Sequence, residues 1–101
     1  MSILITAATS AQAHRLKSEL KDEQVLLGDH FEMPQFMLAS GMMIRLPNPA
    51  SFSYTHEMLA LCLDKQINII YILRENEIKL LTEAEQLFKE YGISLIKNNE
   101  V

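Results

Sequence analysis

The chain has 101 residues, a formal net charge of −4 and 49% hydrophobic residues. This length suits one domain with a buried core, and the apolar fraction is not typical of disordered chains. The negative charge argues against a nucleic-acid partner, because nucleic-acid phosphates bind clustered positive charge. A single cysteine excludes an internal disulfide. The apolar runs are too short for a membrane span and lack the basic lead of a signal peptide, so we expect a cytoplasmic domain with no membrane partner.

The first half of the chain alternates between short apolar runs and helical patterns. Residues 2–6, SILIT, predict a strand, and apolar residues spaced three and four apart predict a helix over 10–21. Residues 24–29, QVLLGD, predict a second strand. A short helix is expected within 33–41, between a proline and a glycine, and a weaker third strand over 42–47.

The second half continues this alternation. A helix is expected to begin at about Ser53, whose hydroxyl can cap it. Residues 67–73, INIIYIL, form the most apolar run and predict a strand buried on both faces. A long helix follows over about 76–91 and stops at Gly92, and 93–97 predict the last strand. Strands separated by helices pair in parallel, so the sequence predicts one Rossmann-like, doubly wound α/β domain over 1–101.

The turn after the first strand is the place where such a fold holds a phosphate. A dinucleotide fingerprint uses glycines there, whereas this turn carries alanine, threonine and serine. The turn therefore lacks the residue that most readily adopts a positive φ, and we expect no nicotinamide cofactor. Thr9 and Gln12 fit a capping box, which would satisfy backbone donors at the helix start. The alternative is a small-anion site made by free helix amides and the hydroxyls of Thr9 and Ser10.

Asp29 ends the second predicted strand, about 20 residues beyond this turn, where dinucleotide-binding folds place an acid on a ribose. Gly28 and Asp29 also form an ordinary turn pair. The sequence leaves ribose contact and a structural turn as alternatives.

Residues 75–96, ENEIKLLTEAEQLFKEYGISLI, combine an acid-rich helix start, an apolar ladder and a closing strand. Before them ILIT opens the chain, GD follows the second strand, LP closes the third, and YTHEMLALCLDKQINIIYIL precedes the acidic helix start. In order and spacing, nearly the whole chain resembles the N-terminal, pre-ATP-grasp domain of ATP-grasp ligases of the carbamoyl phosphate synthetase large-subunit-like group. By this resemblance Glu75 and Glu77 match acidic positions at the helix start, and Asp29 matches the acid after the second strand.

In that family the domain helps to form the site for the carboxylate substrate, whereas the ATP-grasp module holds ATP, magnesium and most catalytic groups. The resemblance covers no such module, so we do not transfer ATP binding or ligation, and we expect no cofactor and no catalysis by this chain alone. Together with the two-sided apolarity of 67–73, the resemblance implies a five-stranded parallel sheet in the order 3-2-1-4-5, with Ile69 to Leu73 central.

In that sheet order, strands 1 and 4 are neighbours whose connections leave in opposite directions, which opens a crevice at their carboxyl ends. Arg74 is the only strong cation expected there, so an anion would lie between Arg74 and the start of the first helix. The candidate ligand-binding residues are Thr6, Ala7, Ala8, Thr9, Ser10, Asp29, Asn48, Arg74, Glu75 and Glu77.

Other chemistry finds little support in the sequence. The three histidines have no ligand spacing, so we expect no metal site. Cys62 lies on an apolar helix face, where burial is favoured over nucleophilic use. The methionines between 33 and 43 are interpreted as core filling, with an adaptable contact surface as the alternative.

Two functions from different classes remain. The first is a non-catalytic accessory domain that binds a partner protein or a copy of itself, together with a small anion at the crevice. The second is the substrate-binding half of a split ATP-grasp carboxylate ligase, completed by a separately encoded chain. We favour the first.

Overall fold

The computed structural model describes residues 2–20, 24–41 and 43–97. Within these residues the strands are β1 (Ser2–Ile5), β2 (Gln24–Asp29), β3 (Met43–Arg45), β4 (Ile67–Ile72) and β5 (Ser94–Lys97). The helices are α1 (Ala11–Glu19), α2 (Gln35–Ala39), α3 (Tyr54–Asp64), α4 (Glu75–Thr82) and α5 (Glu85–Glu90). Lys21, the end of the first predicted helix, and Met42, the start of the third predicted strand, lie outside the described residues.

The five strands form one parallel sheet in the order β3-β2-β1-β4-β5. Leu4 of β1 pairs with Leu26 of β2 on one side and with Ile70 of β4 on the other. The predicted Rossmann-like, doubly wound fold and its strand order are confirmed, with β4 inside the sheet between β1 and β5.

Helices cover both faces of the sheet, because alternate residues of each strand point to opposite sides. On β1, Ile3 and Ile5 pack with Ala13 and Leu16 of α1 on one face. Leu4 belongs to the core of the other face, which α3, α4 and α5 cover with Met58, Leu81 and Phe88. The crossovers through α1 and α3 therefore bury apolar helix residues against the sheet, whereas α2 has no fully buried residue.

The predicted long helix over 76–91 is wrong in one respect, because Glu83 and Ala84 separate it into α4 and α5. Both helices face the same core through Leu81 and Phe88, so the apolar spacing continues across the break and conceals it. Gly92 has the expected left-handed conformation, with φ of 77°. No helix among the described residues is long and apolar enough to cross a bilayer.

Candidate functional site at the carboxyl edge of the sheet

One residue in the turn after β1 has a positive φ, although the turn contains no glycine. Ala7 has φ of 56°, a left-handed conformation that costs an alanine about 1 kcal/mol. Two backbone bonds hold the turn: Ala8 N–H donates to Gly28 O at 3.0 Å and Ser10 N–H donates to Ala7 O at 2.9 Å. Ala7 and Ala8 are both buried, so their methyl groups belong to the core.

Ser10, and not Thr9, caps the first helix, so the predicted capping box is wrong. Ser10 Oγ accepts from Ala13 N–H at 3.2 Å and donates to Ala7 O at 2.8 Å. The hydroxyl of Ser53, expected to cap α3, instead donates to the Glu57 carboxylate at 2.7 Å. A serine hydroxyl near a helix start can bind several nearby groups, and the partner that it finds determines whether it caps the helix.

Thr6 joins β1 to β4 beneath the crevice. Its Oγ1 donates to Tyr71 O at 3.3 Å and accepts from Leu73 N–H at 3.0 Å. The residue is fully buried. Thr6 therefore fixes the two strand ends and presents no group to the crevice.

Asp29 is the centre of the site, and its side chain has no exposed surface. Oδ2 accepts from Thr9 N–H at 3.1 Å, from Thr9 Oγ1 at 2.8 Å and from Arg74 Nη2 at 2.7 Å. Oδ1 accepts from the amides of His30 at 2.8 Å and Phe31 at 3.3 Å. We call Thr9, Asp29 and Arg74 the Asp29 cluster.

These contacts hold Asp29 in its charged form. Burial alone would raise the pKa of this carboxyl. The hydrogen bonds from Thr9 and Phe31, together with the Arg74 charge, outweigh burial and place the pKa below its ordinary value. Asp29 is an ionised group whose lone pairs are used by the protein itself.

Gly28 lies inside β2, and its missing side chain leaves space for Leu46, which directly follows β3. A Cβ at this position would lie 2.8 Å from Leu46 Cγ and Cδ2. Gly28 therefore serves close packing within the sheet, while the turn begins at Asp29, which accepts from the next two amides.

Arg74 binds three other residues of the site. Besides its ion pair with Asp29, Nη2 donates to Thr9 Oγ1 at 3.1 Å. The guanidinium carbon lies 4.1 Å from the centroid of the Phe31 ring, and 19% of the side chain is exposed. The position predicted for an anion, between Arg74 and the start of α1, holds the Asp29 carboxylate.

Glu77 forms a second buried contact nearby, while Glu75 is exposed. Glu77 Oε1 accepts from Tyr54 Oη at 2.6 Å, and Oε2 has no hydrogen-bond partner among the described residues. Burial raises the pKa of Glu77, and this exceeds the lowering effects of the Tyr54 bond and of the charges on His30 and Arg74. The sequence analysis missed Tyr54, although a buried tyrosine hydroxyl usually requires a partner.

An open cleft of about 390 Å³ lies beside these two contacts. Among the predicted site residues, only Asn48 lines it. The lining residues are His30, Asn48, Pro49, Ala50, Asn76, Lys79 and Leu80. We call it the His30 cleft. His30 directly follows β2, and Asn76 and Lys79 lie on α4 just after β4, so their positions at strand ends could have drawn attention to them.

The described residues contain no group of three potential metal ligands among His, Cys, Asp and Glu. Cys62 is fully buried, which confirms its packing role, and burial raises the pKa of its thiol to about 12. A thiol in this state is inert as a nucleophile. The polar groups that could bind a ligand at this edge are therefore those of the Asp29 cluster, Glu77 and the His30 cleft.

No protein-family model matches the chain, and no curated protein sequence matches it. The Rossmann-like fold rests on the strand order and the helix layers alone. The resemblance to a pre-ATP-grasp domain stays a prediction, and function has to be argued from the site.

Proposed function

We propose that the chain is a non-catalytic accessory domain that binds a partner protein or a second copy of itself. The observation that carries this proposal is the exposure of aromatic rings on a chain in which Asp29 and Arg74 are already paired with each other. Three of the four phenylalanines, Phe31, Phe36 and Phe52, are exposed, and Phe88 alone is buried.

The groups at the carboxyl edge are poorly arranged for catalysis. Asp29 is charged but buried, and it accepts five hydrogen bonds, one of which is its ion pair with Arg74. Glu77 is buried under Tyr54. A general base has to reach its substrate with a free lone pair. Glu77 Oε2 has no hydrogen-bond partner among the described residues, but it is buried, so neither carboxylate presents an exposed lone pair at the crevice. This favours a binding role over a reaction.

The exposed rings are better suited to contact a protein. Phe36 is 70% exposed on α2, and Phe52 is fully exposed in the loop before α3. Aromatic side chains are enriched in protein interfaces and often carry much of the binding energy. Met33 and Met43 are buried in the core, so their core-filling interpretation is confirmed. The contact surface that we propose is therefore made by phenylalanines and not by these methionines.

Site-specific photo-crosslinking in the native cell tests the proposal. A benzophenone amino acid would replace Phe36 in one variant and Phe52 in another. We expect a discrete adduct from at least one of these positions, identified by mass spectrometry as one partner protein or as the homodimer. Sedimentation velocity at increasing concentration then measures any self-association directly.

The matched control is the same crosslinker at Tyr91, an aromatic residue that is also exposed but lies after α5. It should give no discrete adduct. Equal adducts from all three positions, or none from positions 36 and 52 together with a monomer at every concentration, would contradict the proposal.

The second candidate is the substrate-binding half of a split ATP-grasp ligase. The sequence resemblance supports it, and so does the His30 cleft, an open cleft with polar and apolar walls that a second chain would close. The adduct identified at Phe36 or Phe52 separates the candidates, because the second requires that partner to be an ATP-grasp chain. Ligase activity on mixing the two chains, lost when either is omitted, would establish the second candidate.

A further inference from the structure

We propose that the His30 cleft binds a small organic anion, a carboxylate or phosphate monoester carried on a compact apolar body. The proposal goes beyond partner binding and does not depend on it. It differs from the anion position predicted by the sequence, which the Asp29 carboxylate fills.

The charge of the cleft selects an anion. Within the described part of the chain, the ionisable residues that line it are His30 and Lys79, and no carboxylate is among its lining residues. Two acids lie behind His30 and α4. Asp29 is opposed by Arg74, and burial raises the pKa of Glu77, which disfavours its negative charge. Lys79 therefore presents its ammonium to the cleft without an opposing acid on the cleft wall.

The hydrogen-bond donors of the cleft are free for a ligand. Within the described residues, no hydrogen bond or ion pair engages the side chain of Lys79 or of Asn76. Asn48 uses its Oδ1 to accept from Ala50 N–H at 2.9 Å, which leaves its amide nitrogen available. Arg74, in contrast, already uses its Nη2 on Asp29 and Thr9.

The remaining wall sets the size and character of the ligand. Pro49, Ala50 and Leu80 supply apolar surface on the same cleft. Its volume of about 390 Å³ lies at the small end of the range for ligand pockets. A few polar groups on an apolar wall orient a small molecule through its charged end.

The test is an NMR titration of ¹⁵N-labelled protein with benzoate and, separately, with phenyl phosphate. Either probe should cause saturable shifts of the amides of His30, Ala50, Asn76 and Lys79, with a dissociation constant in the millimolar range. The better of the two probes identifies the anionic group. Benzamide, the neutral analogue of benzoate, should bind about 10-fold more weakly, because it lacks the charge-assisted contact.

Lys79→Met should weaken binding of the charged probe about 10-fold, whereas Lys89→Met on α5 should leave it unchanged. Both lysines are exposed, so each variant should keep the native spectrum. The proposal is overturned if benzamide binds as well as benzoate, if the two lysine variants behave alike, or if neither probe gives saturable shifts. Shifts centred on residues 7–10 would also overturn it, since they would place the anion at the first turn.

Discussion

Asp29 joins segments that are distant in sequence, since its partners Thr9 and Arg74 lie 20 and 45 residues away. The sequence placed all three at one edge of the sheet because each follows a strand. It did not show that they bind one another. Whether an acid at a strand end faces a ligand or its own protein depends on side-chain distances of a few ångströms, which strand patterns do not contain.

Asp29→Asn should destabilise the native state by about 3 kcal/mol, because it leaves Arg74 without its counter-charge. Urea denaturation at neutral pH measures this loss. Asp64→Asn, an exposed substitution at the end of α3, is the matched control and should change stability little. A similar loss in both variants would mean that the ion pair adds nothing specific.

The same variant tests the pH dependence. Because the pKa of Asp29 is lowered on folding, its stabilisation is complete above the unfolded value of about 3.9 and is lost as the pH falls through the folded pKa. The free energy of unfolding of the native chain should therefore decline in acid more steeply than that of Asp29→Asn. Parallel pH profiles would contradict the assignment.

Glu77 should behave in the opposite way. Its pKa is raised on folding, so the native state binds the proton more tightly and the free energy of unfolding falls as pH rises from about 4.3. Glu77→Gln keeps an oxygen for Tyr54 and removes the charge, so it should stabilise the protein near neutral pH by about 1 kcal/mol. The gain should vanish below about pH 4. A loss of stability near neutral pH that disappears in acid would contradict this, because it would mean that the native state needs an ionised Glu77.

At the scale of elements, strands and caps were predictable to different extents. The second strand matches the prediction residue for residue, and its burial rises from an exposed Gln24 to three buried residues at its carboxyl end. The division between α4 and α5 was not predictable, since Leu81 and Phe88 continue one apolar stripe. The positive φ of Ala7 was not predictable either, because alanine strongly prefers a negative φ. The hydrogen bonds around Ala7 hold it in this conformation.

A second residue at positive φ ends α3 and gives a prediction for that element. Gln66 has φ of 57° and is exposed just beyond the C-cap. Gln66→Gly should raise stability by about 1 kcal/mol, because glycine adopts this conformation without steric cost. Lys65→Gly is the control: Lys65 has φ of −91°, so glycine there should destabilise the helix end. Thermal denaturation of both variants measures the difference, and equal shifts would contradict the strain at Gln66.

At the scale of the whole molecule, the fold provides a crevice and the Asp29 cluster fills it. Phosphoryl transfer needs cations on the phosphates and ligands for magnesium. The strong cation of the crevice, Arg74, is bound to Asp29, and none of the chain's glycines lies in the turn after β1. These contacts disfavour a nucleotide at the crevice and are consistent with the proposed accessory role.

Isothermal titration calorimetry with ATP and magnesium tests this central claim most directly. The account predicts no saturable heat with the native chain, because the Asp29 carboxylate occupies the position that a phosphate would take and repels it. Binding in the micromolar range that Arg74→Ala abolishes would contradict the account, since it would show that the crevice accepts a nucleotide.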